Sequence, residues 1–240
     1  MISVIRTAMS TMTAMPDPLY RLLAWLSPSY PIGAFSYSHG IEMAVEEGFV
    51  RDHASLIGWI ASVLRDGTGR VDSALFAAAW RAAEAENWPA FDALAERATA
   101  WRGTSEMALE QRQQGGSFLS ITRLAWPAAA LDDAHDRLAG EIALPVAVAL
   151  AAAAHGVPLE SALIGYLHAF TANLISAALR SVPLGQTDGQ LALAALQPIV
   201  QATADAAIAV ESLDEVGTAT PLLDWCSMRH ETQYTRLFRS

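Results

Sequence analysis

The stretch PLESALIGYLHAFTANLISAALR, residues 158–180, decides between two folds. From Ser161 to Leu179 it carries no charged residue, and it is long enough to cross a bilayer. Leu159, Leu163, Tyr166, Leu167, Phe170 and Leu174 recur at three- and four-residue spacing and form one broad apolar stripe. His168, Thr171, Asn173 and Ser176 lie among them, and Arg180 alone makes no basic flank that would orient a membrane span. The spacing predicts a buried helix of a soluble protein. Ile142–Leu159, also uncharged, is rich in alanine and is broken by Gly156 and Pro158, so it reads the same way.

Outward from this helix the period stays helical. Asp17 and Pro18 suit an N-cap and first helical position, opening a short helix through Leu26. Ile41–Glu47 ends at Gly48, and Asp52 can cap a helix running to Leu64. Val71, Leu75, Phe76, Ala79, Trp80 and Ala83 share one face, as a core-packed helix requires. Further helices are expected at 89–101, 104–125, 143–155, 158–181 and 188–215. No strand alternation, repeat or long linker appears. The sum is an all-α chain: an arm at 1–16, one helical-bundle domain of about eight to ten helices at 17–228, and a tail at 229–240.

Composition narrows the function. A net charge of −10 and a pI near 4.9 argue against nucleic acid or an anionic membrane as the main partner. All fifteen cations are arginine. Without lysine there is no Schiff-base chemistry and no Walker-A nucleotide site. Cys226 is the one cysteine, which excludes a disulfide framework or zinc cluster and fits a cytoplasmic setting. The six histidines are scattered without HxH or HExxH spacing, and Cys226 with His230 is only a two-ligand fragment of a metal site. No GxSxG elbow presents a nucleophile. No enzyme, cofactor or resident metal is expected.

Four segments hold more chemistry than helix packing needs. YPIGAFSYSHGIE, 30–42, is an aromatic, hydroxyl-rich loop entering a helix that Ser38 can cap, with Glu42 in the first turn. RQQGGSF, 112–118, places a glycine pair inside a helical pattern, which marks either a bend or a close backbone approach. In RSVPLGQTDGQ, 180–190, Thr187 and Gln190 have capping-box spacing, but capping leaves Arg180 and Gln186 unexplained. HETQYTRLFRS, 230–240, interleaves Tyr234, Leu237 and Phe238 with Arg236 and Arg239. That composition suits either a helix end docked on its own core or a surface that contacts a partner.

Together SPSYPIGAFSYSHGIE, EQRQQGGSF, RSVPLGQTDGQ and RHETQYTRLFRS occur in the order found in the UreF family of urease accessory proteins, which this sequence resembles over about residues 19–240. His39, Cys226 and the N-terminal arm depart from the family pattern. The resemblance implies an all-helical, non-enzymatic homodimer acting as a chaperone of nickel insertion during urease maturation. It implies a bridge between UreD (UreH in some organisms) and the GTPase UreG, with the complex docking on apo-urease; regulation of the GTPase stays open. It also implies that the tail binds UreD through Tyr234, Arg236, Leu237, Phe238 and Arg239, ordering on association. UreG is then expected elsewhere, at Glu42, Arg180 and Gln186. The rival readings are a helical hydrolase, which needs a nucleophile–base pair in a pocket, and an autonomous nickel carrier, which needs several His or Cys ligands.

Overall fold

The structure, a computed structural model, describes residues 18–240; the arm at 1–16 and the proposed cap Asp17 lie outside the described residues. The described residues form a single all-α domain of eleven helices: α1 Pro18–Trp25, α2 Ile41–Glu46, α3 His53–Asp66, α4 Thr68–Glu84, α5 Trp88–Ala100, α6 Ser105–Ala125, α7 Ala129–Arg137, α8 Leu144–Ala154, α9 Leu159–Ala178, α10 Gln186–Ile208 and α11 Pro221–His230.

At the centre stands α8, LPVAVALAAAA, apolar on every side and buried from Pro145 to Ala152. A helix without a polar face must be surrounded, and here α4, α6 and α9 enclose it. Alanine allows that enclosure to be tight. Gly115 on α6 is the extreme case: a Cβ there would lie 2.1 Å from the Ile142 carbonyl oxygen and 2.7 Å from the Leu144 nitrogen, both backbone. Of the two readings of the glycine pair, close approach therefore holds; α6 runs unbroken through it.

Local signals were honoured unevenly. Asp52 accepts the Ser55 N–H at 2.8 Å and the Ser55 hydroxyl at 2.7 Å, so the expected cap forms. At α10 the capping pair sits elsewhere: Asp188 accepts the Gly185 N–H at 2.8 Å, and Thr187 and Gln190 lie inside the helix. The pattern expected through 215 stops at Ile208 and resumes as a short 3-10 turn, Leu213–Glu215. Among the described residues one helix, α10, is long and apolar enough to cross a membrane, and a third of its 18-residue apolar window is buried. The two stretches singled out by lack of charge are instead core helices α8 and α9.

Candidate functional site

The four unusual segments meet at one corner, where the tail folds back over α2 and α6. The loop makes this possible through Ser38–His39–Gly40, in which both His39 (φ 55°) and Gly40 (φ 77°) have left-handed backbone. Gly40 suits the turn because its left-handed backbone would strain any residue that carries a side chain. The tight turn aims the N-terminus of α2, and with it Glu42, at the tail.

A two-bond backbone clasp then joins loop and tail. Ser38 N–H donates to the Ser240 carbonyl at 2.8 Å, and Arg239 N–H donates to the Ser36 carbonyl at 2.8 Å. The Ser38 hydroxyl adds a third bond to the Ser240 oxygen while accepting the Glu42 N–H at 3.3 Å, so the expected capping role is shared with tail binding. Glu42 is the centre of the arrangement. Its carboxylate accepts the N–H groups of Leu237 at 2.7 Å and Phe238 at 3.0 Å, and meets His230 Nε2 at 3.0 Å. His230, fully buried, has Nδ1 2.8 Å from Glu106, whose other oxygen pairs with Arg236 at 2.9 Å. Burial pushes the Glu106 carboxyl above its usual range, with His230 and then Arg236 opposing the shift. Farther along α6, Glu110 accepts the Ser240 hydroxyl at 2.8 Å and faces His39 Nδ1 at 3.3 Å.

Phe238 is seated in this frame at 4% exposure, with the Arg180 guanidinium 4.1 Å from its ring centre and donating to the Phe35 carbonyl at 2.9 Å. Tyr234 and Leu237 point the other way: Tyr234 is fully exposed and Leu237 is 66% exposed. The strap thus has an inner anchor and two outer apolar side chains. The tail, expected to order on association, is here seated on the helical body. Backbone N–H groups meeting buried carboxylates hold it on its own body, and α11 runs into it through His230.

The residues assigned to two partner surfaces are brought together rather than apart. Glu42, 6% exposed, lies beneath the tail, and Arg180 covers Phe238; Gln186 is exposed at the start of α10. Glu106 and Glu110 are site residues that sequence reasoning missed. The signal was available, since Glu106, Glu110 and Gln114 recur at four-residue spacing and share a face of α6.

Thr68 Oγ1, His39 Nε2 at 2.9 Å and Glu110 form a hydroxyl–imidazole–carboxylate chain. All three are buried, and the chain ties the loop before α2 to α4 and α6 within the core. Cys226 and His230, the two-ligand fragment of the sequence, are both buried. Burial pushes the Cys226 thiol up to about 12, and both nitrogens of His230 face carboxylates.

The protein class that combines this helical body with these segments is that of the urease accessory proteins. Residues 50–197 match the UreF family. Urease accessory protein UreF of Granulibacter bethesdensis is 51% identical over 225 residues, covering 92% of this chain and 94% of that protein. The UreF proteins of a Bradyrhizobium species and of Rhodopseudomonas palustris are 52% and 49% identical, covering 92% and 95% of this chain and the same shares of those proteins. The chain belongs to the UreF family of urease accessory proteins.

Proposed function

We propose that this chain is a non-catalytic scaffold in nickel insertion into urease, bridging UreD (UreH) and the GTPase UreG in a complex that docks on apo-urease. The observation that carries the reading is the strap itself. An anchored segment that turns Tyr234 and Leu237 outward presents rigid apolar contacts with little left to order on binding, which favours affinity. In this reading Tyr234 and Leu237 contact UreD directly, Arg236 and Phe238 hold the strap, and Arg239 contributes charge at its end. UreG meets the adjacent corner through Arg180 and Gln186, while Glu42 acts on UreG through the tail that it holds. A second copy covers α10, whose outer side carries alanines and Leu191, itself 57% exposed. The setting is the cytoplasm, and nickel is cargo of the complex.

The test is the double substitution Tyr234→Ala/Leu237→Ala. Neither side chain is buried, so the melting temperature should hold within about 2 °C, as for ordinary surface changes. Loss of two apolar anchors at about 2 kcal/mol each should weaken UreD binding roughly a thousandfold. Wild-type affinity for UreD in this variant refutes the tail assignment. Light scattering that finds only monomer at micromolar concentration refutes the two-fold assembly.

A further inference from the structure

RQQGGSF is not exhausted by its glycines. Its outer residues form one wall of a cavity of about 640 Å³, whose opposite wall is the 30–38 loop and whose end is closed by Arg239 of the tail. Most described arginines are committed within the fold: Arg102 to Asp72, Arg123 to Asp132, Arg137 to Asp92 and Arg97 to Asp214. Arg112, on the cavity wall, makes no hydrogen bond, ion pair or ring contact among the described residues. Arg239 is fixed through its backbone and lies 5.9 Å from the Tyr37 ring centre, without a carboxylate partner. The Tyr37 hydroxyl donates to Gln113 Oε1, which leaves the Gln113 NH2 as a further donor. Glu141 is the one carboxylate on the walls.

We infer that this cavity receives a carboxylate side chain, Asp or Glu, from the protein that binds the tail. Two guanidinium groups and an amide NH2 offer only donors, which is the complement of an ionised carboxylate. A local pair of free arginines offsets the chain's net charge of −10 at this cavity; Arg65 and Arg70 do the same at another, and it is the contact with the tail that selects this one. Arg239 belongs to both strap and cavity, which makes the cavity continuous with the surface offered by Tyr234 and Leu237. The inference rests on the tail being a partner-binding element and identifies UreD as the carrier of the carboxylate.

The affinity of the full-length chain for purified UreD tests it, at low and at physiological salt. Arg112→Glu should weaken binding about tenfold to a hundredfold with an unchanged melting temperature, because Arg112 holds nothing within the fold. Arg112→Gln should weaken it less and flatten its salt dependence, and Glu141→Gln should tighten it. The Glu141 change separates a charge effect from a packing effect, since a merely structural role would not improve binding. If the Arg112 and Glu141 variants bind as wild type while Tyr234→Ala/Leu237→Ala loses UreD, the cavity inference fails and the tail reading stands. If Arg112→Glu loses UreD and the tail variant keeps it, the carboxylate site stands and the tail reading fails. Wild-type binding by all of them overturns both.

Discussion

Glu42→Ala removes the acceptor for two tail N–H groups and one side of His230. The N–H of buried Phe238 and the Nε2 of buried His230 are then left without a partner, at about 1–3 kcal/mol for each unsatisfied buried group. These losses share one network and do not add, and Glu106 still holds His230 at 2.8 Å. A net loss of about 3 kcal/mol in tail docking follows, or roughly a hundredfold in the docking equilibrium.

Hydrogen exchange reads this directly. The amides of Leu237, Phe238 and Arg239 should exchange about a hundredfold faster in Glu42→Ala. Glu42→Gln keeps an acceptor oxygen and should fall between the two. The melting temperature reports whether the strap unfolds with the body. If it does, a drop of about 6–12 °C is expected at 2–4 °C per kcal/mol. Unchanged tail exchange together with an unchanged melting temperature would refute the clasp. Phe238→Ala is the companion test, because it loosens the strap by removing its apolar anchor while leaving Glu42 in place.

Gly115→Ala should lower the melting temperature by about 6 °C or more, since its Cβ meets backbone that cannot step aside. Gly116→Ala, whose closest neighbour is the Gly140 oxygen at 3.1 Å, should be far milder because alanine favours the helix by about 1 kcal/mol. The Ser55 N–H and hydroxyl hold the Asp52 carboxyl below its usual value of 3.8. The folded state therefore binds fewer protons there, and the stability this group contributes is present above that value and lost as pH falls through the depressed one. Asp52→Asn, which can still cap, should remove that part of the acid slope in thermal melts. With its thiol pushed up to about 12, Cys226 should resist iodoacetamide in the folded protein near neutral pH and react once denatured. The purified chain should not turn over GTP, and turnover abolished by a point mutation in this chain would overturn the scaffold reading.

The fold was legible wherever one face of a helix was apolar. The stripe from Leu159 to Leu174 and the Val71–Ala83 face both became core helices. Helices α7 and α11 escaped notice because their sequences, AALDDAHDR and PLLDWCSMRH, lack a sustained stripe and are held by neighbours rather than by their own pattern. The site was legible as segments but not as an arrangement. Tyr234, Leu237 and Phe238 looked equivalent on paper, whereas one is buried and two are exposed, a division that only an extended strap over a surface produces. The spacing of Glu106 and Glu110 places them on one face of α6, but nothing local shows that a tail more than 120 residues later will cover that face.

That burial has a consequence for how the two proposed partner surfaces relate. Three carboxylates, Glu42, Glu106 and Glu110, are satisfied by the tail and His230, so a displaced tail would expose them to water together with the ring of Phe238. Arg180, which packs on that ring, would lose its platform at the same moment. If a partner that grips Tyr234 and Leu237 lifts the strap, it also bears on Arg180 through Phe238. Phe238→Leu isolates this link, since it keeps an apolar anchor and removes the aromatic face under the guanidinium. If the surfaces communicate through the strap, UreG binding should change in that variant whether or not UreD is present, while UreD binding itself stays near wild type. Equal UreG binding by Phe238→Leu and wild type, with Arg180→Ala still defective, would place Arg180 in direct contact with UreG and leave the strap out of the coupling.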